Sequence, residues 1–230
     1  MLFDFLGSQS SILHLGYSGR GYLWIPETHL PNLISLRASP EALIEFTVDQ
    51  RPITTLHLRR FVSDPTPLLH ISRSSIISRL NCPIQHLSVA VDTLTEGFGS
   101  SLGLITSIFA DHLLILELTF TGVPYGAEAK FWAALERFSK VTHLTLIMIG
   151  HRRHDNFHTE RVLPHLPGQT NSFNEYDERP SALKSVVIVN AGDWDEYSRG
   201  AEGRWRHTGH DGPAVPYPQY ELTVYPVNLE

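Results

Sequence analysis

Apolar and polar positions along the chain fall into one short pattern, Leu-x-x-Leu-x-Leu with aliphatic substitutes, that recurs six times in register. The anchors are Leu33, Leu36 and Ala38; Ile53, Leu56 and Leu58; Ile84, Leu87 and Val89; Leu113, Leu116 and Leu118; Val141, Leu144 and Leu146; Leu183, Val186 and Ile188. First anchors follow one another at 20, 31, 29, 28 and 42 residues, so the three inner spacings cluster near 29 and the outer ones are irregular. An earlier copy ending in Leu13 and Leu15, and a late strand at Leu222 and Val224, bracket the set. Each copy closes on an alternation of period two, the mark of a strand with one buried face, and is approached through polar or Pro-containing residues such as Arg51-Pro52 or Cys82-Pro83.

Helical stretches lie between these strands. Ser39-Pro40-Glu41 reads as an N-cap, a Pro at the first helical position and an early acid, with Ala42, Leu43 and Phe46 on one face. Asp64-Pro65 opens a second helix with Leu69, Ile76, Ile77 and Leu80 as its apolar face. Leu102, Ile105, Ile108 and Phe109 mark a third, and Phe131, Trp132, Leu135 and Phe138 a fourth. A strand-helix unit of this size cannot bury its own apolar faces, so stacked units forming a parallel sheet backed by helices are the stable solution. The expected fold is therefore α/β, an irregular leucine-rich-repeat-like solenoid over residues 1–191. A Gly-, Pro- and aromatic-rich C-terminal cap with one late strand follows over 192–230. The competing architecture is a doubly wound α/β domain, whose buried strands also read as aliphatic runs.

The phrases LPNLISLRASPEAL, RPITTLHLRRF, CPIQHLSV, LLILELTFTG and FWAALERFSKVTHLTL carry a resemblance. Over about residues 30 to 190 the chain resembles the leucine-rich-repeat region of the fungal F-box-type protein family, in register and in flanks. The resemblance implies that the repeats recognise a protein destined for ubiquitination, while in that family an N-terminal F-box docks on the ligase adaptor. Met1 to Ser10 is too short for such a three-helix motif, so a ligase adaptor is expected as a partner only if an F-box is present elsewhere. The family's regular repeats carry an asparagine three residues after the last anchor. Here those positions hold Glu41, Phe61, Asp92, Thr121, Ile149 and Ala191, so no asparagine ladder forms and the stack is expected to be irregular.

In each copy the two residues flanking the middle anchor point away from the core, because successive strand side chains alternate faces. One row reads Ser35, Thr55, His86, Ile115, His143 and Ser185; the other reads Arg37, His57, Ser88, Glu117, Thr145 and Val187. Arg, several His, one Glu and small hydroxyls make a mixed polar surface of the kind proteins dock on. Arg37, His57, His86, Glu117 and His143 are the candidate partner-binding residues, and the partner is expected to be a protein.

Three other motifs invite chemistry. Gly99-Ser100-Ser101-Leu102-Gly103 satisfies the G-x-S-x-G nucleophile-elbow pattern, with Ser101 as nucleophile and Asp193 with His207 or His210 as downstream acid and base. That motif needs a strand running straight into a turn and a helix, whereas residues 92–98 read as a loop and Ser101 as the capped start of a helix. A serine hydrolase is accordingly the alternative function and no enzyme the expectation. His151, His154 and His158 have helical spacing for a metal site, but Arg152 and Arg153 among them repel a cation, and no metal or cofactor is expected. Trp194, Tyr197, Trp205 and Tyr217, in a breaker-rich segment read as a loop, are expected to cap the last repeat rather than anchor a partner.

Charge narrows the partners. With 18 Lys and Arg against 24 Asp and Glu the net charge is -6, and the cations are scattered, so the basic stripe that nucleic acid requires is missing. A hydrophobic share of 42% is enough for a real core and excludes a disordered tail. Apolar runs such as 144–150 stop far short of the roughly 20 residues that span a bilayer, so no membrane contact is expected. The lone Cys82 and the acidic start MLFDFL point to an intracellular protein of the cytoplasm or nucleus. The sum is a protein-recognition module; a truncated fragment without independent function is the third reading, motivated by the uneven spacings and the missing F-box.

Overall fold

Alternation of aliphatic and polar residues over four to eight positions makes the strands, and the sequence repeat sets how they pair. The computed structural model describes residues 2–18, 25–26, 28–43, 51–62, 83–91, 98–120, 133–148, 182–190, 193–201 and 205–208. The strands are β1 (His14–Gly16), β2 (Ser35–Ala38), β3 (Thr55–Val62), β4 (His86–Val91), β5 (Ile115–Phe120), β6 (His143–Met148), β7 (Ser185–Asn190), β8 (Asp193–Arg199) and β9 (Trp205–His207). They form one sheet in strictly sequential order. β1 to β7 are parallel, and β8 and β9 are added antiparallel. The fold is thus mixed α/β with a mostly parallel sheet. A doubly wound sheet reverses its strand order at a switch point, and this order has no reversal.

All the anchors of the six copies lie in the core, none more than 6% exposed. Fully burying a Leu or Val side chain is worth about 1.5–3 kcal/mol, so the anchor face is the main source of stability. Val91, Phe120 and Met148 extend the buried face of β4, β5 and β6 by one more position, beyond the three-anchor pattern. The Cα register is the one the anchors imply, with Leu36, Leu56, Leu87, Leu116, Leu144 and Val186 side by side across β2 to β7. β3 carries a register shift between Leu58 and Phe61.

A second ladder runs just ahead of the strands. The carbonyl of Leu13 accepts the N–H groups of both Ile34 and Ser35, at 2.9 and 3.1 Å. The same forked arrangement recurs from Ile34 to Thr54 and Thr55, from Thr54 to Gln85 and His86, from Gln85 to Leu114 and Ile115, from Leu114 to Thr142 and His143, and from Thr142 to Lys184 and Ser185. Because a backbone group left dry and unpaired is costly, this ladder ties each unit to its neighbour at the sheet's N-terminal end.

The N-terminal copy is displaced from its expected place. Leu15 pairs with the middle anchor Leu36, and Leu13 is 43% exposed. The anchors are Ile12, Leu15 and Tyr17, all packed on the core, because a tyrosine ring fills the last position where an aliphatic residue was expected. The helical N-terminus at Ser39 is present in a tighter form: Ser39 Oγ accepts the Ala42 N–H at 3.3 Å, and Glu41–Leu43 is a 3-10 turn rather than an α-helix. Helix α1 (Leu2–Gly7), which the pattern does not signal, packs Gly7 so closely under His29 that an added Cβ would lie 2.7 Å from its Nε2. Helix α2 (Phe98–Phe109) lies where the third apolar stripe places it, with Leu102, Ile105 and Phe109 buried. Residues 133–135 are helical, 136–137 turn instead of continuing the expected helix, and Phe138 is buried, while Phe131, Trp132 and all of 64–80 lie outside the described residues.

Two further departures matter. The segment after Gly192, read as a loop, begins with β8, whose Asp193 to Ser198 pair with Asn190 back to Ser185. Tertiary pairing with a strand already in place overrides the weak local propensity of DWDEYSR. Its Tyr197 is buried and Trp205 on β9 packs on the core, while Leu222, Val224 and Tyr217 lie outside the described residues. Arg51, read only as a polar approach to a strand, is fully buried. Its Nε donates to His29 O at 3.0 Å, and its Nη2 donates to Pro26 O and Ile25 O at 2.6 and 3.3 Å. That fork holds the chain around Leu30, whose φ of 53° is left-handed and costs about 1–2 kcal/mol for a residue with a Cβ, offset by complete burial of the leucine side chain. Among the described residues no helix is long and apolar enough to cross a membrane.

Candidate functional site

The face opposite the core carries both expected rows in register. Across β1 to β7 the Cα partners run His14, Ser35, Thr55, His86, Ile115, His143 and Ser185 in one row. In the other they run Gly16, Arg37, His57, Ser88, Glu117, Thr145 and Val187. β8 continues them with Ser198 beside Ser185 and Glu196 beside Val187.

Four of the five candidate residues gather on neighbouring strands. His86 Nε2 lies 3.3 Å from Glu117 Oε1, across the diagonal between β4 and β5. The contact favours the charged form of the Glu117 carboxyl. The His57 ring stands edge-on to the His86 ring, centroids 5.3 Å apart and planes at 71°. Arg37 is the Cα partner of His57 on the other side. Residues two apart on adjacent strands of one face are within reach of long or ring side chains, so the row pattern contained the signal for this diagonal cluster.

The cluster has a defined charge state. Burial lowers the His57 pKa from 6.5 to about 4, helped by the charges of His86, Arg37 and His14 and opposed by Glu117. His57 keeps only 9% of its surface and is neutral at pH 7. Burial pushes the Glu117 carboxyl up, but the His86 contact, a hydrogen bond from Ser88 and the charge of His57 outweigh it, and the group sits below its ordinary range. Glu117 is therefore a carboxylate at neutral pH. A carboxylate, two imidazoles and a guanidinium on one patch can accept and donate hydrogen bonds to a polar partner and can exchange a proton with it.

His143 stands apart, separated from His86 by Ile115. Thr142 Oγ1 donates to Leu114 O at 3.0 Å and lies 2.8 Å from His143 Nδ1. With its proton donated to the carbonyl, the Thr142 hydroxyl oxygen can accept from His143 Nδ1.

Ser101 and His207 are not brought together. Ser101 lies inside α2 rather than at its cap, is 0% exposed, and its Oγ has no hydrogen-bond partner. His207 lies 2.9 Å from Asp195, its ring packs at 4.9 Å and a 38° tilt on Tyr197, and the Asp193 side chain lies outside the described ones. Helix α2 contacts β4, four strands from β8, a separation of roughly 19 Å at the usual strand spacing. His210 lies outside the described residues, as do His151, His154 and His158. Among the described residues no three His, Cys, Asp or Glu side chains are placed to hold one metal ion. No family model, no curated protein and no solved structure matches the chain.

Proposed function

We propose that this protein is a protein-recognition module that uses the polar face of a leucine-rich-repeat-like solenoid, with no catalysis. One observation carries the reading: two rows of mixed Arg, His, Glu, Ser and Thr side chains run in register across seven parallel strands, on the face away from the core. Sequential order and one forked carbonyl contact per unit also support repeat stacking. A sheet face with ready donors and acceptors and few long apolar side chains suits a wet, specific contact rather than a permanent apolar one. By resemblance to the F-box-type family, the setting proposed for it is intracellular selection of a protein for ubiquitination.

The test is affinity capture from cell extract with the wild type and with a variant carrying Arg37→Ala, His57→Ala, His86→Ala and Glu117→Ala together. Partners retained by the wild type and lost from the folded variant support the reading, and ligase components among them support the ubiquitination setting. Partners captured equally by both would sink the face as the site.

A further inference from the structure

We draw no further inference here: the strongest candidate, the half-buried apolar patch that Ile147, Val187 and Val189 form on the open face of β6 and β7, carries nothing because no observation in the structure shows what covers it.

Discussion

Drawing an imidazole under its neighbours disfavours its charged form, and at His57 the nearby cations push the same way. In the unfolded chain the group takes its proton near pH 6.5, and in the folded chain only near 4. Above 6.5 both states are neutral and the group adds no pH dependence. Between 6.5 and 4 the unfolded state binds the proton and the folded one does not, so stability falls on acidification by about 3 kcal/mol in all. Glu117 acts next: its lowered pKa contributes stability above the unfolded value of 4.5, lost as pH falls through the folded value. The urea midpoint is therefore expected to fall between pH 6.5 and 4 in the wild type, and His57→Gln to flatten that segment while leaving the Glu117 loss below it. The same slope in both proteins would refute the assignment. The row positions of His57, His86 and Glu117 are legible in the sequence; the burial that fixes their charge state is not, since it depends on strands about thirty residues apart.

A single strand here has two unequal faces, and substitution is expected to reveal them. Leu87 and Leu116 are Cα partners on β4 and β5, 0% and 1% exposed. Either one changed to Ala is expected to cost about 2–5 kcal/mol, the lost burial plus the cavity left behind. Thr119, on the opposite face of β5 and half-buried, is expected to cost under about 0.5–1 kcal/mol as Ala. Because the two leucines share one packed region, the double change should differ from the sum by about 0.5–3 kcal/mol. Urea denaturation of the four variants decides this, and a Leu116→Ala protein no less stable than Thr119→Ala would mean the strand is paired in the other register. At this scale the anchors of the six copies are readable because period two ties sequence position to face. The N-terminal copy sits two residues from where aliphatic counting puts it, since Tyr17 fills an anchor that such counting skips. β8 is not legible in the pattern because its acidic residues are disfavoured in strands and its partner comes only from β7.

Across the whole sheet, protection is expected to grade from the middle outwards. β4, β5 and β6 have six residues each and a hydrogen-bonded neighbour on both sides, whereas β1 and β9 have three each and stand at the two edges. Short edge strands also limit pairing with other chains. Hydrogen exchange followed by mass spectrometry should show the slowest amides in β4 to β6 and the fastest in β1 and β9. Uniform protection from β1 to β9 would show that the sheet opens only as one unit.

By itself the sequence determined β2 to β7, their buried faces and the two rows on their open face, because alternation is local and each of the six copies repeats the same three anchors. Tertiary structure alone decided the rest. It placed Arg51 under the backbone at Ile25, Pro26 and His29, closed Ser101 inside α2 far from His207, and turned the last described segment into two antiparallel strands. It also set His86 against Glu117 and His57, since such contacts depend on which distant residues the sheet makes neighbours and on how much water it leaves them.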